Sequence, residues 1–201
     1  HYQIQRDNAE HIHGAEALLR WEHPVAGRIS SPLMVKLAEE ESFLDELGLY
    51  IIKEACKDAQ KLQKEGTPLS ISVNISPKQL ESAEFVREVR RILQEVDLHD
   101  IQLILEVTER SLLSTSGRIL ERIRELKQLG IQMSMDDFGM GHSSMMYLQE
   151  NAFDEVKLDG SLVRQILENE RSRDIVRGIT RLAASMQFHV VAEFVETKEQ
   201  M

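Results

Sequence analysis

Polar side chains recur in this sequence at the ends of short apolar runs. The distance along the chain from one such position to the next is 21 to 36 residues, which suits a strand, a helix and their connections. The positions are Asn74, Glu106, Asp136 with Asp137, Lys157 with Asp159, and Glu193. Because the carboxyl ends of parallel strands lie at one edge of a sheet or barrel, these side chains can meet in space.

The residue types indicate the chemistry of such a meeting place. Carboxylates and an amide oxygen are hard ligands, suited to Mg²⁺ or Mn²⁺ rather than Zn²⁺. Crowded carboxylates repel one another unless cations neutralise them, and the adjacent Asp136 and Asp137 could bridge two ions. Two metal ions about 3.5–4 Å apart activate water and stabilise an in-line phosphoryl displacement. The pattern therefore predicts metal-dependent hydrolysis of a phosphoester.

Each of these residues also has a simpler structural interpretation. An acidic residue after a strand often caps the following helix, Asn74 lies before Pro77 where a turn is expected, and Lys157 alone could be a solvated charge. The regular recurrence of the positions favours one shared site over separate local roles.

The composition excludes several classes of protein. The 201 residues carry a net charge of −10, which argues against binding DNA, RNA or an anionic membrane surface. The single cysteine, Cys56, excludes an internal disulfide framework and a CxxC metal module. Since no apolar run approaches the roughly 18–20 residues of a membrane span, the chain is not expected to contact a bilayer.

The elements that must position these side chains alternate along the chain. Strands are predicted at 70–74, 101–107, 131–135, 155–159 and 189–192, and helices at 32–40, 44–64, 85–96, 119–129 and 172–185. An apolar run at 15–19 contains Glu16. We expect one α/β domain with a parallel sheet, either a closed barrel or an open doubly wound sheet. The main nucleotide-binding signatures of open sheets, GxGxxG and GxxxxGK[ST], do not occur.

Several motifs in order along the chain resemble those of EAL domains, the bacterial phosphodiesterases of cyclic di-GMP. The segments are EALLR at 16–20, VNIS at 73–76, EVTE at 106–109, DDFG at 136–139, GHSS at 141–144, KLD at 157–159 and AEFVE at 192–196. The resemblance implies a TIM-like (β/α)8 barrel with an antiparallel first strand, over residues 1–201 as a single domain. It also implies that a final strand and helix follow residue 201 in a longer protein.

The same resemblance implies an activity, which is hydrolysis of cyclic di-GMP to linear pGpG with two Mg²⁺ or Mn²⁺ ions. The implied metal ligands are Glu16, Asn74, Glu106, Asp136, Asp137 and Glu193. Lys157 would orient or help to deprotonate the attacking water, acting with the ligands Glu16, Asp136 and Asp137. Gln3 and Arg20 would contact the substrate, Glu109 would anchor the loop that begins at Asp136, and Asp159 and Glu196 would support the site. A homodimer through residues 136–146 and a cytoplasmic location, even as a domain of a membrane-bound protein, are also implied.

Departures from the family pattern keep a second function open. Phe194 stands where the family usually has Gly, Gly160 where Arg is common, and Met140 and His142 where Thr and Tyr are usual. Strand alternation predicts that the Phe194 side chain points away from the mouth of the site and towards the helices. The alternative function is a non-hydrolysing cyclic di-GMP receptor or a regulatory domain, but retention of every readable metal-site position favours the enzyme.

Overall fold

The computed structural model describes residues 1–6, 11–63, 69–98, 100–112, 118–139 and 145–200. The strands in this part of the chain are β1 (Tyr2–Arg6), β2 (Ile12–Ala17), β3 (Trp21–His23), β4 (Gly27–Ile29), β5 (Leu69–Asn74), β6 (Ile101–Thr108), β7 (Gln132–Phe138), β8 (Glu155–Leu158) and β9 (His189–Ala192). The helices are α1 (Ser31–Glu40), α2 (Leu44–Leu62), α3 (Pro77–Glu81), α4 (Ala83–Glu95), α5 (Glu109–Leu112), α6 (Arg118–Gln128), α7 (Met145–Gln149), α8 (Gly160–Gln165) and α9 (Glu170–Met186), and a 3₁₀ turn spans Lys198–Gln200.

Seven of the described strands form one sheet in the order β1-β2-β5-β6-β7-β8-β9. Strands β2 to β9 of this sheet run parallel, whereas β1 pairs with β2 in the antiparallel direction. Strands β3 and β4 form a separate hairpin. The predicted α/β fold with an antiparallel first strand is confirmed.

The core lies between this sheet and the helices that connect its strands. Every residue of β8 is buried, as expected for a parallel strand covered on both faces. Helix α4 turns one apolar side inwards, where Phe85, Val86, Val89 and Ile92 are buried. Among the described residues, no helix is long and apolar enough to cross a membrane.

Two features of the sheet differ from the sequence-based expectations. The apolar pattern does not locate β1 or the β3–β4 hairpin, because β1 is a largely exposed edge strand and the hairpin strands are only three residues long. The antiparallel first strand is implied by the family resemblance alone. Strand β7 continues to Phe138 instead of ending at residue 135. Its pairing with β8 shifts register between Met135 and Phe138, and Asp137 adopts a left-handed φ of 56°, which together form a bulge.

A glycine in α2 permits a close contact with α3. A Cβ atom on Gly48 would lie 2.0 Å from Nε2 of the buried Gln79 side chain. That amide donates a hydrogen bond to the Leu44 carbonyl oxygen at 3.0 Å and accepts one from the Ser76 backbone N–H at 2.9 Å. Both hydrogen bonds hold Gln79 in place, so the side chain cannot move aside without losing them.

We expect Gly48→Ala to lower the free energy of unfolding by about 1–3 kcal/mol, because the added methyl group overpacks this contact. The matched control is Gly178→Ala in α9, where an added Cβ meets nothing within 4 Å. There, alanine should raise the free energy of unfolding by up to about 1 kcal/mol through its better helix propensity. Urea denaturation of both variants measures the difference, and equal effects of the two substitutions would contradict the packing account.

Candidate active site

The centre of the candidate site is the ammonium group of Lys157 in β8. This side chain is only 2% exposed, and its Nζ atom lies 2.9 Å from Glu16 Oε2, 2.9 Å from Glu106 Oε2 and 2.8 Å from Glu193 Oε1. Asp136 Oδ1 lies 3.8 Å from the same atom. Carboxylates from β2, β6, β7 and the segment after β9 therefore surround one lysine.

Parallel pairing brings these groups to one end of the sheet. Asn74 is aligned with Glu106 across β5 and β6, and the Asn74 side-chain amide donates a hydrogen bond to Glu16 Oε1 at 2.7 Å. Gln3 is the antiparallel partner of Glu16 across β1 and β2, so its exposed side chain leaves the sheet on the same face as that of Glu16. The predicted convergence of strand-end side chains is thus present for Glu16, Asn74, Glu106, Asp136, Lys157 and Glu193.

The site holds more negative than positive charge. With all groups ionised, Lys157 and the four carboxylates around it have a net charge of −3. Burial raises the pKa of Glu106 to about 7 although the Lys157 ammonium opposes this shift, and burial also raises the pKa of Glu193. Burial alone would lower the pKa of Lys157, but Glu106, Asp136 and Glu16 outweigh it and raise that pKa. The lysine therefore remains charged.

The bulge in β7 presents Asp136 and Asp137 differently. The Asp137 backbone N–H donates a hydrogen bond to Asp136 Oδ1 at 2.9 Å, and Asp136 faces Lys157 while Asp137 is exposed. Partial burial raises the pKa of Asp137, and the neighbouring carboxylates of Asp136 and Asp159 add to the rise. Asp137 thus adds negative charge beside the Lys157 cluster.

Glu109 and Asp159 have local structural contacts beside the site. Buried Glu109 accepts a hydrogen bond from the Gly139 backbone N–H at 3.1 Å, which ties the end of β7 to α5. Asp159 is the N-cap of α8 and accepts a hydrogen bond from the Ser161 backbone N–H at 2.8 Å. The capping interpretation of an acidic residue after a strand therefore holds for Asp159.

Two further predicted residues are not joined to the cluster by contacts within the described part of the chain. Arg20 is exposed after β2, and its guanidinium donates to the Leu19 carbonyl oxygen at 2.8 Å. Glu196 is exposed, and its backbone N–H donates to Gln200 Oε1 at 2.7 Å. Met140 and His142 lie outside the described residues, as does the central part of the predicted dimer segment.

The donor set fits a hard divalent cation in its chemistry. Glu106 Oε1 is buried without a well-formed hydrogen bond from the described residues, and the Ser72 hydroxyl beside Glu106 partly opposes the rise in pKa that burial causes in this carboxyl group. This oxygen is therefore the one most open to a cation. Across the described ranges, no three His, Cys, Asp or Glu side chains share a metal-binding geometry. Four of the carboxylates lie around the Lys157 ammonium. The excess negative charge and the oxygen donors are nevertheless those that Mg²⁺ and Mn²⁺ prefer.

The comparison with protein families decides the membership of this chain. The model of the EAL domain family matches residues 1–201. The chain belongs to the EAL domain family. This confirms the assignment that the sequence motifs indicated.

Relatives of this EAL domain are found among longer proteins. An uncharacterized signaling protein of Caulobacter vibrioides is 40% identical over all of this chain, and the cyclic di-GMP phosphodiesterase NbdA of Pseudomonas aeruginosa is 35% identical over 94% of it. The matched regions cover 25% and 24% of those proteins, so the chain spans about a quarter of the length of these relatives.

A solved EAL structure has the same fold. The structure of PaMucR phosphodiesterase in complex with c-di-GMP matches with a TM-score of 0.86 and 33% identity. The match covers 100% of this chain and 82% of that one. The predicted TIM-like fold class is therefore confirmed.

Two departures of this EAL domain from the family pattern contact each other. Phe194 lies beyond the end of β9 with a φ of 55°, so strand alternation does not explain its direction. Its ring nevertheless packs against a helix, α8, as expected. Its ring packs over Gly160 at the start of α8, where an added Cβ would lie 2.3 Å from Phe194 Cδ2. The guanidinium of Arg164, which the sequence analysis did not consider, lies 4.3 Å from the ring centroid.

The raised pKa of Glu106 predicts a pH-dependent loss of stability in metal-free buffer. The carboxyl group binds its proton more tightly in the folded state, at a pKa of about 7, than in the unfolded chain, at a pKa of about 4.3. The resulting stabilisation is complete below about pH 4 and is lost as the pH rises through 7, by up to about 4 kcal/mol. Glu106→Gln, which mimics the protonated carboxyl group, should remove this part of the pH dependence.

Urea denaturation of the wild-type domain and of Glu106→Gln between pH 5 and 8, with EDTA present, measures the effect. The two free energies of unfolding should be closest at pH 5 and should diverge as the pH rises, with the wild type falling more steeply. Parallel curves would show that Glu106 does not titrate in this range.

Proposed function

We propose that this EAL domain hydrolyses one phosphodiester bond of cyclic di-GMP to give linear pGpG, with two divalent cations bound among its carboxylates. The observation that carries the proposal is the convergence of four carboxylates on Lys157 at the carboxyl end of the sheet. The family assignment supports it, as do relatives named as cyclic di-GMP phosphodiesterases and the solved complex of PaMucR with c-di-GMP.

Mg²⁺ or Mn²⁺ would be held by oxygen donors of the cluster and of its immediate surroundings. The proposed ligands are Glu16, Asn74, Glu106, Asp136, Asp137 and Glu193. When bound, such ions lower the pKa of coordinated water and screen the charge that develops on a phosphate. Binding would also relieve the repulsion among the carboxylates, which the single Lys157 ammonium only partly neutralises.

Lys157 would act in the reaction as a positioning group for water and carboxylates. Its raised pKa and its ion pairs with Glu16, Glu106 and Glu193 keep the ammonium protonated. A protonated lysine donates hydrogen bonds and does not take a proton from water. In the metal-free protein Lys157 is therefore a hydrogen-bond donor, and the proposal keeps both roles that the resemblance implies, orientation and deprotonation of the attacking water.

Residues around the cluster would hold the anionic substrate. Arg20 presents an exposed guanidinium, whose planar donors suit a phosphate group. Gln3 leaves β1 beside Glu16, where its amide could donate to the ligand. The role of Glu109 as an anchor for the loop after β7 is supported by its bond to Gly139. The supporting role of Glu196, homodimerisation through residues 136–146 and a cytoplasmic location remain predictions.

Purified protein should convert cyclic di-GMP to pGpG when Mg²⁺ or Mn²⁺ is present, and the conversion should stop when EDTA is added. Chromatography of the reaction products measures both results. Glu16→Ala should lower turnover by about 100-fold or more, because it removes a cation ligand and a partner of Lys157. The matched control is Glu121→Ala on the outer helix α6, an exposed position where turnover should be unchanged.

Three results would count against this function. Binding of cyclic di-GMP without turnover would favour the receptor alternative, and equal turnover with and without EDTA would contradict the proposed use of metal ions. Unchanged turnover in Glu16→Ala would remove Glu16 from the site.

A further inference from the structure

An arginine and a phenylalanine beside the carboxylate cluster have no role in the reaction described above. The Arg164 guanidinium carbon lies 4.3 Å from the centroid of the Phe194 ring, which is within the range of a cation–π contact. Phe194 is 53% exposed in the described chain, although its side chain is large and apolar. Among the described residues, Arg164 forms no ion pair, while the chain as a whole carries ten more acidic than basic side chains. We refer to these two side chains as the Arg164–Phe194 pair.

The geometry of the pair depends on Gly160. A Cβ atom at position 160 would lie 2.3 Å from Phe194 Cδ2 and 2.9 Å from Cε2, so the ring occupies space that only glycine leaves free. Phe194 also has a φ of 55°, a left-handed backbone conformation that is unfavourable for a residue with a Cβ atom. The contacts with Gly160 and Arg164 must offset this strain.

The pair lies at the edge of the carboxylate cluster. Phe194 directly follows Glu193, whose carboxylate is 2.8 Å from Lys157 Nζ. Gly160 begins α8 just after the N-cap Asp159, and Arg164 follows one helical turn later. Because Phe194 is the chain neighbour of a cluster residue, we expect a ligand whose phosphate lies at the cluster to extend its neighbouring groups towards the pair.

The chemistry of the pair suits a purine base. Nucleobases stack on aromatic rings and on arginine guanidinium planes. The free N–H groups of an arginine can donate two hydrogen bonds to the O6 and N7 atoms of guanine, whereas adenine carries a donor at N6 in place of the O6 acceptor. A phosphate alone would need only the positive charge and would make no use of an exposed ring beneath it.

We propose that the Arg164–Phe194 pair binds one guanine base of the cyclic dinucleotide and favours guanine over adenine. The inference rests on the proposed function and adds a determinant of base specificity to it. Arg164 reads the guanine edge, Phe194 holds the guanidinium plane, and Gly160 provides the space for the ring.

The test measures dissociation constants of cyclic di-GMP and cyclic di-AMP for the whole chain in EDTA, together with KM and kcat for cyclic di-GMP in Mg²⁺. Arg164→Ala should weaken cyclic di-GMP binding and raise KM by about tenfold or more, with kcat within about threefold of the wild type. Binding of cyclic di-AMP should change little. Arg164→Lys should resemble Arg164→Ala, because lysine keeps the charge but loses the planar fork.

Two more variants distinguish a role of the Arg164–Phe194 pair from the loss of any surface arginine. Gly160→Ala should also weaken cyclic di-GMP binding, because the added methyl group displaces the Phe194 ring while Arg164 remains. Arg177→Ala in α9 removes an exposed arginine that is paired with Asp174 on the same helix and should leave both dissociation constants unchanged.

The outcomes distinguish this inference from the proposed function. If both Arg164 variants bind cyclic di-GMP and cyclic di-AMP as the wild type does, the guanine site is overturned. Hydrolysis of cyclic di-GMP by the same variants would still support the proposed function. Wild-type binding by Arg164→Lys alone would show a simple charge contact and would also overturn it. If the wild-type chain neither binds nor hydrolyses cyclic di-GMP, the proposed function fails and the guanine site fails with it.

Discussion

The Lys157 ammonium is almost completely removed from solvent, and it can remain charged there only if carboxylates surround it. An unpaired buried charge costs several kcal/mol, whereas here Glu16, Glu106 and Glu193 all lie within 3 Å of Nζ. These residues are far apart in sequence, and the register of the parallel strands brings them to one end of the sheet. A change at one strand end therefore affects the charge balance of all the others.

Much of this arrangement could be predicted from the sequence because its signals are periodic. The apolar runs at β5, β6 and β9 and the amphipathic α4 were placed within a few residues, and the spacing of the polar residues indicated that they converge. The position of Lys157 among the carboxylates could not be predicted in this way. Spacing shows that side chains share an edge of the sheet, but it does not show which of them is buried at the centre.

Other features depended on tertiary contacts that leave little trace in a local pattern. The exposed β1 has no apolar stripe, and it is a strand because it pairs with β2. The bulge at Asp136 and Asp137 arises from a register shift against β8. The direction of Phe194 follows from its positive φ and from the space above Gly160. Phe194 and Gly160, the two departures from the family pattern, are thus coupled, because any side chain at position 160 would collide with the Phe194 ring.

The central claim is that oxygen atoms from separate strand ends form one cation site around Lys157. A crystal structure of this chain grown with Mn²⁺ tests it most directly, because anomalous scattering locates manganese independently of the protein coordinates. The account predicts anomalous peaks bound by oxygens of the six proposed ligands, which are Glu16, Asn74, Glu106, Asp136, Asp137 and Glu193. An absence of peaks there at saturating Mn²⁺, with these side chains directed to separate places, would contradict it.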